Sequence, residues 1–380
     1  QYVDLLCKYF QQTQNNYFKD KLKQTINFIN TEFKNKEGLY GSAYDADSEG
    51  IEGKYYIWTY NELAKLIGDD LTIFKKKYIL SETGNFEGSN ILIENKNYDL
   101  DEKELKKIKQ IENLLVEERV KRKKPFFDDK TQTDLNAFWL YTSMQASIIL
   151  EDLYLKDKTL KKIEILKNKF KKKIYHCYEN NEIDVFLEDY VYYALLLISL
   201  YEIDGDKKNL LLANKIMKEI WEMFFDAKTE LLQKNKTKNN DLFINPIDIN
   251  DNNIPNGNSI YLNICNKLYT ISNDEFWPKK IEILRKSFHA LINSNFSQMF
   301  SFIKSLDIYD ENISFTFHGN FSKNKSIKDF LLKKFFSRAT FVHYDIDNDD
   351  FITICKNNTC SDKLKTMEDI EKFLVANLIN

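Results

Sequence analysis

Two stretches of the chain, Asn136 to Leu150 (NAFWLYTSMQASIIL) and Tyr190 to Tyr201 (YVYYALLLISLY), carry no charged residue at all, yet neither is long enough to cross a bilayer. Helices of that composition offer no face to water, so they need a shell of other elements around them. The shell can be read next to each of them. Asp157 to Tyr175 places Leu160, Ile163, Leu166, Phe170 and Ile174 on one face with lysines elsewhere, and Lys207 to Phe225 sets Leu210, Ala213, Met217, Ile220 and Phe224 against Asn214, Lys218 and Glu222. Ser259 to Ile271, whose one charge is Lys267, followed by Asp274 to Asn293, is a third inner–outer pair. Tyr2 to Thr13 with Tyr17 to Phe33 is a weaker pair, and Asp101 to Lys123 reads as a further outer-type helix. Inner–outer hairpins in series bury their apolar members by closing into a ring, which predicts a mainly α fold, an α/α toroid, over residues 1–305. Antiparallel pairing then sends the N-termini of all inner helices to one end.

After Phe302 the pattern changes. Ile313 to Phe317, Ala339 to Tyr344 and Phe351 to Cys355 read as strands, and Ser326 to Phe336 and Thr366 to Leu378 as helices, so residues 306–380 are expected to form a small α/β segment. A hydrophobic content of 43% argues against disorder, and no apolar run reaches membrane-spanning length. The 55 basic residues are balanced by 58 acidic ones, and the clusters Lys121 to Lys124 and Lys171 to Lys173 lie on helices that also carry acids. They read as solvated helix faces, so neither a nucleic acid nor a membrane is an expected partner. Five cysteines, Cys7, Cys177, Cys265, Cys355 and Cys360, form no disulfide framework and no C-x-x-C pair, which suggests reduced thiols in a cytoplasmic protein, with Cys355 and Cys360 a structural thiol pair. The chain begins at Gln1 inside an apolar helical pattern, as a fragment would.

The chemistry-bearing stretch is Gly38 to Trp58, GLYGSAYDADSEGIEGKYYIW, which sets Asp45, Asp47, Glu49 and Glu52 among glycines on a segment too irregular for a helix. A β-hairpin loop over 38–58 is expected, with Tyr55 to Trp58 strand-like, followed by a capping box of Thr59 and Glu62 that opens a short helix. Asp45-x-Asp47-x-Glu49-Gly50 copies half of a calcium loop, but Tyr56 occupies the place of the bidentate glutamate, and Asp345-x-Asp347-x-Asp349 fails likewise. Directly before the inner helices come Phe127-Asp128-Asp129-Lys130, Phe186-Leu187-Glu188-Asp189-Tyr190 and Pro255-Asn256-Gly257-Asn258-Ser259. In a ring these three motifs and the Asp45 loop would share one mouth. Paired carboxylates can divide general acid and base work, which makes Asp45, Asp47, Glu49, Glu52, Asp128, Asp129, Glu188 and Asp189 catalytic candidates. Lys130 as counter-ion, Asn136, Trp139 as a pocket floor, Tyr190, Asn256 and Asn258 are ligand-binding candidates. Helix capping accounts equally for Asp189 and Asn258, and both readings stay open. His176, His289, His318 and His343 have no metal-ligand spacing and none stands before an inner helix, so neither metal nor cofactor is expected.

These segments, in this order, resemble the YyaL-type family, the thioredoxin-domain-containing proteins related to spermatogenesis-associated protein 20. The matching pieces are Gly38 to Thr59, GNFEGSNIL at Gly84 to Leu92, PFFDDK at Pro125 to Lys130, FLEDY at Phe186 to Tyr190, PNGNS at Pro255 to Ser259 and ICKNNTC at Ile354 to Cys360. The resemblance runs nearly end to end. It implies a six-hairpin-glycosidase-like (α/α)6 toroid, similar to N-acylglucosamine epimerases and incomplete at its N-terminus. It also implies a thioredoxin-like domain upstream in the full-length chain. The sequence departs from the family pattern after Asp129, where Thr131 to Phe138 retains only Asn136, and at Pro255 to Asn258. The family has no assigned reaction, so a sugar-like small molecule as ligand follows from fold analogy. The rival reading is a non-catalytic scaffold or client-binding module for the thioredoxin-like domain. The third is a paralogue whose pocket has decayed.

Overall fold

The computed structural model describes residues 1–172, 174–179, 183–236, 244–320, 324–336, 338–345, 349–356 and 359–378. They form two compact units: Gln1–Tyr40 together with Lys130–Asn380, and Gly41–Asp129. The larger unit opens with the hairpin of α1 (Tyr2–Thr13) and α2 (Asn16–Glu32). Gln14 adopts a left-handed conformation that ends α1, and the Asn15 side chain accepts the Tyr17 N–H at 2.9 Å to start α2.

The smaller unit carries short antiparallel ladders and three helices. Strand β1 (Ala43–Tyr44) is followed by β2 (Asp47–Ser48) and β3 (Ile51–Glu52), which pair across the two residues Glu49 and Gly50, both at positive φ. That is the hairpin geometry in which the turn matches strand twist. Tyr55 and Tyr56 turn rather than extend, contrary to the strand expected there, and of Tyr55 to Trp58 only Trp58 forms a bridge, to Asn90. Thr59 and Glu62 make the expected capping box and open α3 (Tyr60–Ile67). Helix α4 (Leu71–Lys77), the pair β4 (Tyr78–Ile79) and β5 (Ile93–Glu94), α5 (Glu102–Val120) and β6 (Phe127–Asp128) complete the unit, with β6 pairing back to β1. Its core is Trp58, Leu63, Ile67, Phe74, Ile111 and Leu115. The outer-type helix read at Asp101 to Lys123 is therefore real as α5, but it belongs to this core and not to a ring hairpin.

In the rest of the larger unit, α6 (Thr133–Ile149) pairs with α7 (Leu153–Lys172), α8 (Leu187–Asp204) with α9 (Lys207–Phe224), and, after the short β7 (Phe225–Asp226) and β8 (Leu231–Leu232), α10 (Gly257–Ser272) with α11 (Phe276–Asn295). Helices α1, α6, α8 and α10 pack side by side in that order, and α12 (Phe300–Asp310) continues the row against α10. Four hairpins thus present their charge-poor members inward, an α/α-toroid arrangement. Helix α8 shows the cause most plainly, since every residue from Leu187 to Ile203 is buried. Burial of each large apolar side chain stabilises by ~1.5–3 kcal/mol, a gain so apolar a helix keeps only when other elements surround it.

The C-terminal segment is a four-stranded sheet in the order β10 (Ala339–Tyr344), β9 (Ile313–His318), β11 (Phe351–Lys356) and β12 (Thr359–Cys360), with α13 (Lys325–Lys333) and α14 (Met367–Asn377). Strands β9 and β10 run parallel, as a helical crossover requires, and β10 packs on α8 and α10 within the larger unit. Cys355 and Cys360 face one another across β11 and β12 and are joined as a disulfide. The expectation of reduced thiols is corrected for this pair, because the tight hairpin brings opposed side chains together. Cys7, Cys177 and Cys265 are free and buried. No described helix is long and apolar enough to cross a membrane.

Candidate functional site

The first turns of α6 and α8 are stitched together by the links that precede them. Thr133 N–H donates to the His176 carbonyl at 3.0 Å, Gln132 and Cys177 form a β-bridge, and Tyr178 N–H reaches the Thr131 carbonyl at 3.3 Å. Glu179 clamps the same link by accepting both the Thr131 N–H and its hydroxyl at 2.7 Å. This pairing carries His176 to the start of α8, where its Nδ1 donates to the Asp189 carboxylate at 3.1 Å. Asp189, fully buried, also accepts the Phe186 N–H at 2.8 Å and the Asp134 N–H at 3.2 Å. It therefore caps its own helix and ties the neighbouring one to it.

Three titratable groups here depart from their ordinary behaviour. Burial pushes the Asp134 carboxyl up to about 6, with the Asp189 charge adding to the rise and His176 opposing it. Burial likewise pushes Glu188 up to about 7; Lys234 opposes, while the charges of Asp248 and Asp134 add to it. Burial alone would lower His176, but its hydrogen bond to Asp189 and the acidic neighbours outweigh that and raise it. Glu188 stands apart in one more respect: its Oε2 is buried without a hydrogen-bond partner among the described residues. Its Oε1 lies where a β-carbon on Gly257 would fall, at 2.8 Å, so the first turn of α10 admits the carboxyl because residue 257 has no side chain. Asp134, Glu188, Asp189 and Gly257 are thus contributed by the first turns of three successive inner helices.

Asp134, His176 and Asp189 each offer one ligand atom, all within 4.8 Å of one another, a spacing that could hold a divalent cation. His176 lies just past the end of α7, and its neighbours Asp134 and Asp189 come from the first turns of two different helices, a grouping that no spacing along the chain displays. Asp134 and His176 escaped the sequence reading, although Asp134 sits in the first turn of an inner helix just as Asp189 does.

The other candidates fall into three groups. Asp45, Asp47, Glu49 and Glu52 are exposed in the smaller unit: Asp47 N–H donates to Asp45 at 3.2 Å and Glu49 pairs with Lys54 at 2.8 Å, which holds its carboxyl below the usual range. Asp128 and Asp129 are half-buried in the same unit, Asp128 within β6, and Lys130 is exposed in the larger one. The amide candidates are committed to backbone. Asn136 accepts the Tyr40 N–H at 3.0 Å and donates to the Tyr40 carbonyl at 2.9 Å; Asn258 does the same with Leu232 at 2.9 and 2.8 Å. Asn256 caps α10 through the Ser259 N–H at 2.9 Å. Trp139, half-buried, packs edge-on against Tyr40 at the margin of the core, and Tyr190 is buried against Phe224 within it. Of the half calcium motifs, Asp345 pairs with Lys207 and Asp349 with Lys365, while Asp347 lies outside the described residues.

No family model and no curated protein matches the chain. Among solved structures it is similar to the α-1,6-mannanase GH76A of Salegentibacter sp. HEL1_6, at 14% identity and a TM-score of 0.34, covering 75% of this chain and 70% of that one. Inactive variants of that enzyme in complex with α-1,6-mannotetrose and α-1,6-mannotriose give 14% identity and a TM-score of 0.35, covering 75% of this chain and 69% and 70% of theirs. Nothing in these comparisons supports the YyaL-type resemblance or a thioredoxin-like domain. The toroid arrangement follows from the chain's own helix packing.

Proposed function

We propose that the larger unit is an α/α-toroid module that takes a hydroxyl-rich ligand of the carbohydrate or polyol class at the N-terminal ends of α6, α8 and α10. Glu188 serves as proton donor and Asp134 as proton acceptor. The observation that carries this reading is the Oε2 of Glu188, buried without a partner among the described residues, in a carboxyl that burial pushes up to about 7 while Asp134 is raised only to about 6. Two acids whose surroundings hold them at different protonation are what general acid–base chemistry needs. Asp189 and His176 are positioning residues, since they hold the two helix ends together. The test is a thermal-shift and turnover panel of sugars and polyols on the 380-residue chain, its Glu188→Gln variant and its Asp134→Asn variant. A ligand-dependent shift with turnover lost in Glu188→Gln supports the proposal; the absence of any shift in all three proteins contradicts it.

The rival reading, a scaffold serving another domain such as a thioredoxin-like one, is favoured by a different observation. Asn136, Asn256, Asn258 and Asp189 each commit polar atoms to holding backbone. It predicts that no sugar binds and that substitution of these residues is felt in stability alone.

A further inference from the structure

The cysteines divide into two kinds. Cys7, Cys177 and Cys265 are buried free thiols. Burial pushes the Cys7 and Cys265 thiols up, away from the reactive thiolate, and Cys177 donates to Glu179 at 3.5 Å. Cys355 and Cys360 are joined to each other, the first half-buried on β11 and the second exposed on β12, at the edge of the sheet.

A structural staple is the plain reading of such a bridge, and its position argues against it. The bridge spans a sequence separation of 5 and joins two strands of one hairpin, so it constrains the unfolded chain less than a bridge between distant segments would. The hairpin has other ties. Ser361 N–H donates to the Ile354 carbonyl at 2.9 Å, Ile354 N–H donates to the Ser361 hydroxyl at 3.0 Å, and Ile352 bridges to Leu364. The two sulfurs therefore stay opposed when the bond between them opens, as a reversible couple needs.

The bridge is also part of a cavity wall. About 640 Å³ opens between α10, α12 and the sheet, within the ~300–1,000 Å³ of small-molecule sites. It adjoins the last turns of α10, at the other end of that helix from Gly257 and the acidic site. Asn266, Thr270, Asn312 and Ser314 line it together with the two cysteines, and none of its described lining residues is charged. Ser314 stands directly opposite Cys355 on β9, so both side chains project from one face of the sheet.

We propose that Cys355–Cys360 is a thiol–disulfide exchange site for a small polar thiol, which the adjoining cavity admits to the bond. The amide and hydroxyl lining favours a donor whose body forms hydrogen bonds. Its thiolate attacks the sulfur of Cys360, the more exposed residue of the two. A new sulfur–sulfur bond forms, the Cys355–Cys360 bond breaks, and Cys355 leaves as a thiolate that takes a proton from water. A second molecule of the thiol attacks the mixed disulfide, releasing Cys360 as a thiol and the donor as its own disulfide. Two donor thiols are oxidised and one bridge is reduced.

Glutathione is the probe, applied to the 380-residue chain in buffers of varied reduced-to-oxidised ratio. The state of each cysteine is read by acid quench, alkylation and peptide mass spectrometry. The pair is expected to be half-reduced within the range of ratios that can be prepared, while Cys7, Cys177 and Cys265 stay unmodified. Its rate of reduction should saturate as reduced glutathione is raised, because the donor binds before it reacts. Melting curves show which variants are folded. The thiol left in Cys355→Ser should form the glutathione adduct about tenfold faster than the one left in Cys360→Ser, since access governs exchange. Ser314→Phe, which fills the cavity beside the bond, should slow reduction of the pair by a similar factor without moving the ratio at half-reduction. The parent chain alone is decisive. A pair that stays oxidised at every ratio, whether or not a protein dithiol reduces it, or a rate strictly proportional to glutathione, overturns the proposal. So does an adduct that forms no faster at Cys360 than at Cys355, or an unslowed reduction of folded Ser314→Phe.

Discussion

The chain carries two concentrations of acid, and they behave as opposites. Asp45, Asp47, Glu49 and Glu52 are dense along the sequence but exposed, with Glu49 held low by the Lys54 ammonium. Asp134, Glu188 and Asp189 are sparse along the sequence but gathered under protein, and two of the three are pushed upward. Burial, and not the number of carboxylates, is what changes acid chemistry here, because desolvation penalises the ionised form while water screens the exposed group.

The contrast breaks hardest at Asp189. Asp189→Ala strands the His176 imidazolium and the Phe186 and Asp134 N–H groups, so urea denaturation near pH 6 should show a loss of ~3–5 kcal/mol. An effect under ~1 kcal/mol would show that the cluster is not the joint between α6 and α8.

Next in size is the pH dependence carried by Glu188. An unfolded glutamate releases its proton near its ordinary value of 4.5, whereas the folded one keeps it to about 7, so stability from this group is intact at low pH and falls as pH rises through that window. The full fall is on the order of 3 kcal/mol. Glu188→Gln should therefore gain stability relative to the parent between pH 5 and pH 8, as measured by denaturation at both. Asp134, raised to about 6, and His176, also raised, act with the same sign: both hold protons in the folded chain that the unfolded chain gives up.

Smaller again is the clasp. Asn258→Ala leaves the buried Leu232 N–H and carbonyl unpaired, for a loss of ~1–3 kcal/mol, with Asn136→Ala similar through Tyr40. At the bottom of the order, Asp47→Asn and Glu52→Gln should shift stability by no more than ~0.5 kcal/mol at any pH, since both side chains are exposed. A larger change in either would sharpen the loop's claim to a role of its own.

The sequence made the helical hairpins legible because a charge-poor helix can stand only inside others, and α6, α8 and α10 all show that property. The strands at Ala339 and Phe351 and the Thr59–Glu62 box were legible for local reasons, alternation and capping. What stayed hidden depended on pairing between distant segments. His176 meets Asp134 and Asp189 because the links at residues 131–133 and 176–178 form a ladder, and Cys355 meets Cys360 because β11 and β12 face each other. Helix α5 misled for another reason: its amphipathic pattern suits an outer ring helix as well as a cover for Trp58 and Phe74. The amides of Asn136 and Asn258 looked like ligand donors because composition does not reveal that a backbone segment already occupies them.

The most direct measurement is a carbon-13 NMR titration of the Glu188 side-chain carboxyl in the folded chain, identified by its loss in Glu188→Gln. A midpoint near 7 is the expected result, with a further inflection near 6 from Asp134. A midpoint near the ordinary 4.5 would show Glu188 ionised and solvated at neutral pH, and the proton donor proposed for the toroid would not exist.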